Sequence, residues 1–161
     1  MVLAGRVLCV MMASASGHVI LERFYDPISE PEQMRWRDRL HRAEASSGAG
    51  ASTVAESDCD KLATRCGVAR HGDENMVWCG VGDLRFYAVG SGEYDEYTLA
   101  EVLQALASSV KGIVKKGFTE AHAFEHYGMI CLALDEIVCD GVVEATTWDT
   151  IRRAIKLKMA D

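Results

Sequence analysis

The stretch LAEVLQALASSVKGIV, residues 99–114, decides the fold, because the chain changes its period there. Leu99, Val102, Leu103, Leu106, Val110, Ile113 and Val114 fall at spacings of 3, 1, 3, 4, 3 and 1. That is one apolar stripe on a helix, with Gly117 placed after it as a C-cap. Fully burying these seven side chains is worth on the order of 10–20 kcal/mol. Fixing the helix backbone costs more, at about 1–2 kcal/mol per residue. The helix therefore needs a surface to pack on, and the residues before it read as a sheet.

Working back toward the N-terminus, Leu84–Val89, Met76–Gly82 and Leu62–Ala69 read as three strands. His71-Gly72-Asp73 and Gly82-Asp83 carry the turn chemistry between them. Val7–Met12, VLCVMM, is a continuous apolar run that fits a strand buried on both faces. His18–Tyr25 is rich in β-branched and aromatic residues, and a Gly17 turn joins the two as a hairpin. Asp26-Pro27 ends the hairpin. Ser29 with Glu32 then reads as a capping box, with Pro31 in the first turn of a helix running to about Ala45. Its apolar face is thin, only Trp36, Leu40 and Ala43, and four arginines line the rest.

Beyond residue 114, Thr119 caps a third helix whose stripe is Phe124, Tyr127, Cys131, Leu134 and Val138, widened by Ile130 and Ile137. Gly141 follows its end. Thr146 or Thr147 starts a last helix with Trp148, Ile151 and Ile155 inward and Arg152, Arg153, Lys156 and Lys158 outward. The expected order is β-β-α-β-β-β-α-α-α. That is an α+β fold, a five-stranded, mostly antiparallel sheet packed with helices.

The 161 residues, 49% apolar and 25% charged, suit one domain over 1–161. Residues 44–60, EASSGAGASTVAESDCD, are too poor in apolar side chains to offset their ordering entropy and read as a flexible loop. No apolar run reaches the ~18–20 residues that span a bilayer, and the N-terminus does not read as a signal peptide. A net charge of −7, from 24 acidic and 17 basic residues, disfavours generic binding to nucleic-acid phosphates. The six cysteines have no C-x-x-C spacing and read as reduced thiols, most of them buried in apolar runs.

Catalytic constellations fail one by one. His122 and His126 stand four apart in HAFEH, a spacing that can share a metal, but no third ligand follows. Cys59 lies between Asp58 and Asp60, which dull a thiol. Asp135 and Glu136 are adjacent and point in different directions. No phosphate loop and no nucleophile elbow is present. No enzyme and no cofactor is expected. Binding features remain: the Arg-rich first helix with Arg35, Trp36 and Arg39, the C-terminal RRAIKLK with Arg152 and Arg153, and the acidic run around Tyr94. Each has a plainer reading, as a solvated helix face or a favourable helix N-terminus. Trp36 and Trp148 fit interface anchors and equally fit core packing.

The segments YDEYTLAEVLQALASSVKGIV (94–114) and HYGMICLALDEIVCDGVVEATTWDTIRRAIKLK (126–158) resemble the C-terminal half of the small subunits of adaptor and coatomer complexes. The heart of the likeness is Leu132–Val138 with Asp135-Glu136, then Gly141 and Glu144. VLCVMMASASGHVILERFY (7–25) resembles the opening hairpin of that family, whose fold is the longin or SNARE-like fold. Within it the chain is most similar to small subunits of TSET-type endocytic adaptors, such as the plant TPLATE complex. The resemblance covers about 130 residues, quoted segments and connections together, and fails in 44–60.

The resemblance implies a non-catalytic subunit docked on an adaptin-like large subunit of a hetero-oligomeric coat. It would associate indirectly with clathrin and membrane, in coated pits at the cytosolic face of the plasma membrane. A coatomer zeta-like role in Golgi traffic and a longin-type regulator of a small GTPase are the rival readings. One departure matters: aligned on Gly17, Ile20 stands where sigma-type subunits carry a basic residue for acidic dileucine signals. That charge-assisted contact is not carried over.

Overall fold

The computed structural model describes residues 5–46 and 65–160. β1 (Arg6–Ser14) and β2 (Val19–Phe24) form the opening hairpin, followed by α1 (Glu30–Ser46). β3 (Arg65–His71), β4 (Glu74–Val81) and β5 (Leu84–Ser91) follow as a meander. The strand order is β2-β1-β5-β4-β3, and every pairing is antiparallel. Two-residue loops close the meander at Gly72-Asp73 and Gly82-Asp83, where the sequence placed turns.

The VLCVMM run is buried on both faces, as its composition predicts. Its register with β5 slips between Val7 and Cys9, so Val7 and Val10, an odd number apart, reach the same face. On one face Val10, Met12, Val77 and Phe86 meet the C-terminal helices. On the other, Cys9, Met11, Trp78 and Tyr87 are covered by α1 through Leu40 and Trp36. The sheet is thus sandwiched, with the thin apolar face of α1 sufficient for one side.

α2 (Glu96–Val114) buries the whole stripe that marks the change of period. The Asp95 side chain caps it by accepting from the Thr98 N–H at 3.0 Å, and that bond holds its carboxyl below the usual range. The helix ends two residues before Gly117, at Lys115, which takes a left-handed φ of 60° itself.

The expected third helix is two: α3 (Glu120–Glu125), capped by Thr119, and α4 (Tyr127–Ile137), separated at His126. The break resets the helical phase. α4 turns Ile130, Ala133, Leu134 and Ile137 inward, while Phe124 and Tyr127, expected in the stripe, are 54% and 40% exposed.

After α4 the chain forms a hairpin missing from the sequence reading, β6 (Val138–Cys139) and β7 (Val142–Val143), before α5 (Trp148–Ala160). Asp140 and Gly141 both take positive φ, 50° and 82°, as a type I′ turn requires. The Val7 N–H donates to the Gly141 carbonyl at 2.7 Å, which ties this hairpin to β1. The first helix also runs through residues 44–46, expected as the start of a loop, and Glu44 there accepts from Arg85 at 2.9 Å and from Tyr87. Most of the expected 44–60 loop, with Cys59, lies outside the described residues.

Candidate docking surfaces

The C-terminal end of α2, the start of α4 and the length of α5 enclose a groove of about 700 Å³. α5 meets α2 and α4 through Ile151 and Ile155, both buried, which holds its N-terminal Trp148 over α2. Gly112 makes that approach possible. A Cβ at this position would overlap the indole, so the ring lies against bare helix backbone. Ile113, Met129, Trp148, Ile155 and Met159 line the floor. Lys111, Lys115, Arg152 and Lys156 stand around it, and among the described residues no carboxylate lines it. Arg152 reaches Asp149 at 3.4 Å, on the exposed side of α5.

The sequence-selected residues divide between two faces of the sheet. Trp148 and Arg152 belong to this groove, whereas Arg153 is exposed on α5 outside it. Trp36 lies across the sheet, half-buried, lining a small cavity of about 90 Å³ with Leu8, Phe24 and Glu74. The Arg39 guanidinium lies 5.2 Å from the Trp36 ring centroid, a cation–π arrangement. Arg35 is exposed, while its neighbour Arg37 is held by Glu22 of β2. Tyr94 is engaged internally. Its hydroxyl accepts from the Val143 N–H at 3.2 Å and so fixes β7. Ile20 is buried in the core, where a basic residue would lose its water.

His122 and His126 each donate from Nδ1 to a backbone carbonyl, Gly117 at 2.9 Å and His122 at 3.1 Å. Among the described residues no group of three or more His, Cys, Asp or Glu side chains is placed to hold a metal ion. The cysteines described are thiols, Cys9 and Cys79 buried and Cys139 exposed. Burial, with the Glu22 charge adding to it, pushes the Cys9 thiol up to about 12. Among the described residues no helix is long and apolar enough to cross a membrane.

The sequence reading found Trp148 and Arg152 but missed Lys111, Lys115 and the Gly112 contact. Lys111 and Lys115 carried a visible signal, two cations four apart at the end of the main helix, but nothing local told which surface they would face.

An α+β domain with the sheet order β2-β1-β5-β4-β3, one helix on one face and the rest on the other, has the longin-type architecture of adaptor small chains. The sequence model of the clathrin adaptor complex small chain matches residues 6–161, and this chain belongs to that family. TSET complex member tstD of Dictyostelium discoideum is 24% identical over 150 residues, covering 92% of this chain and 91% of the relative. Coatomer subunit zeta-1 of Oryza sativa subsp. japonica is 34% identical over 80 residues, 50% of this chain and 45% of the relative. A chain in a homology model of the full-length AP-3 complex in a stretched open conformation shares the fold, with a TM-score of 0.62. That likeness covers 96% of this chain and 94% of the other at 14% identity.

Proposed function

We propose that this chain is the non-catalytic small subunit of a TSET-type adaptor coat of the TPLATE kind. It docks on an adaptin-like large subunit and serves clathrin-mediated endocytosis at the cytosolic face of the plasma membrane. The observation that carries this reading is the extent of the likeness: the TSET relative aligns over 92% of the chain. The α1 surface, with exposed Arg35 and the stacked Trp36 and Arg39, and Arg153 on α5 are the contacts proposed for the large subunit. Affinity purification of the tagged chain from its own cells, followed by mass spectrometry, tests the proposal. TSET-type subunits with clathrin are the expected result, and recovery of no adaptin-like chain refutes it.

The 34% identity over 80 residues to a coatomer zeta subunit favours a second reading, a zeta-like role in Golgi traffic. Recovery of coatomer chains in the same purification selects it.

A further inference from the structure

We propose that the groove between α2, α4 and α5 binds an acidic amphipathic helix supplied by another polypeptide. This assigns a ligand chemistry to one surface and does not depend on which coat the chain joins.

Three observations carry it. The floor is apolar and reaches out of the core: Trp148 is half-buried, and Met159 is 61% exposed although it lines the groove. Apolar surface of this kind, concave and continuous with a helix pair, suits the i, i+3, i+4, i+7 anchors of a helix laid lengthwise. From Trp148 to Met159 α5 rises about 16 Å, room for about three turns of an occupant.

The charge is one-signed in a chain that is acidic overall. Among the described residues four cations and no anion line the groove, against a net charge of −7 for the molecule. Lys111 and Lys115 stand four apart on one wall, and Arg152 and Lys156 four apart on the other. Arg152 and Lys156 both lie within α5, and like charges at that spacing on a helix oppose its folding alone. The α2 C-terminal dipole favours the first pair, but the second lies along α5, where among the described residues Asp149 alone forms an ion pair with it. Carboxylates on an incoming helix would neutralise both walls at once, while its apolar side covers the floor. A basic or neutral helix gains only the floor.

The third observation is shape. A flat bilayer would meet the exposed Met159 but not Ile113 and Ile155, which are buried between the helices, so the concavity favours a helix over a lipid surface.

The test uses the full chain and a fluorescein-labelled helical peptide of about 18 residues, five turns. Its leucines are spaced i, i+3, i+4, i+7, and its remaining positions are glutamate. A second peptide carries lysine at those positions, and vesicles of phosphatidylserine stand for an anionic membrane. Fluorescence anisotropy should show the glutamate peptide binding and the lysine peptide not binding. The double variant Lys111→Glu with Lys156→Glu should bind about tenfold or more weakly. Raising salt from about 0.05 to 0.3 M should weaken the natural protein's binding severalfold. Both lysines are exposed, so the fold should hold, and an unchanged melting temperature checks this. Met159→Asp provides a second variant on the floor, with the same expected loss. Equal binding of both peptides overturns the proposal, as does affinity indifferent to these variants. So does binding of the vesicles without the peptide, which would assign the cations to a membrane. Failure here leaves the purification result untouched, and the converse also holds.

Discussion

Replacing Gly112 by alanine tests the geometry beneath the groove, because two known effects oppose each other there. In an unobstructed helix the change stabilises, by about 0.8–1 kcal/mol. Here the new carbon would overlap Cε2, Cζ2 and Nε1 of Trp148. Ordinary contact at ~3.5–4 Å then requires the indole to withdraw by about 1 Å. The ring cannot withdraw freely, because it opens a helix whose Ile151 and Ile155 are already packed. Overpacking of this kind costs about 1–3 kcal/mol. With a central cost of about 2 kcal/mol, Gly112→Ala should destabilise the natural chain by about 1 kcal/mol. For a chain of this size that is a fall of roughly 2–4 °C in melting temperature. In a Trp148→Ala background the obstruction is gone, and the same change should stabilise by about 1 kcal/mol. The two sites are then coupled by about 2 kcal/mol. Urea unfolding of the four proteins, followed by circular dichroism, reads this out. If Gly112→Ala raises stability equally in both backgrounds, Trp148 does not rest on Gly112 and the groove floor is misdescribed.

Three further outcomes follow from buried polar groups. The Tyr25 hydroxyl is buried and finds no hydrogen-bond partner among the described residues, so Tyr25→Phe should leave stability at pH 7 unchanged or raise it by up to about 1 kcal/mol; a loss of that size in urea would show a partner at work. Burial is the main cause that pushes the Tyr25 and Tyr87 hydroxyls above their ordinary range, and the Glu44 contact adds to it at Tyr87. The unfolded chain loses these protons near pH ~10 while the folded chain keeps them, so the stabilisation is complete below that pH and is lost above it. Unfolding midpoints measured from pH 7 to 11 should begin to decline near ~9, where the unfolded chain loses the Cys9 proton, and fall further above ~10, less steeply there in Tyr25→Phe; equal slopes above ~10 would contradict the assignment. Cys139 is exposed, whereas Cys9 is buried with its thiol pushed up to about 12. Iodoacetamide at pH 8 should therefore label Cys139 before Cys9, and early labelling of Cys9 by mass spectrometry would refute its burial.

What the sequence made legible was whatever depends on local period and local turns. The VLCVMM run, the 99–114 stripe, the Thr119 cap and the Gly72 and Gly82 loops all express rules acting within a few residues. The failures mark where that range is exceeded or the pattern is interrupted. The HAFEHYGMICLALDEI stretch keeps apolar residues at helical spacing on both sides of His126, so the spacing alone reads as one helix. The break is a backbone event, and it leaves Phe124 before it and Tyr127 after it both turned toward solvent. The β6–β7 hairpin had a legible signal, Asp140-Gly141 between valines. Its strands are two residues each and are held by contacts to Val7 and Tyr94, far away in the chain.

The groove extends the same reasoning to function. Residues 111–115 and 148–159 are separated by α3, α4 and the small hairpin, and each segment alone is an ordinary helix end with ordinary surface cations. Their meaning comes from apposition. The Gly112–Trp148 contact brings the two walls together, so the positive field belongs to neither helix but to their packing. A structural contact and a binding property thus rest on the same glycine. A substitution that pushes Trp148 away should therefore alter the fit of the acidic peptide as well as stability, although it removes no charge from the groove.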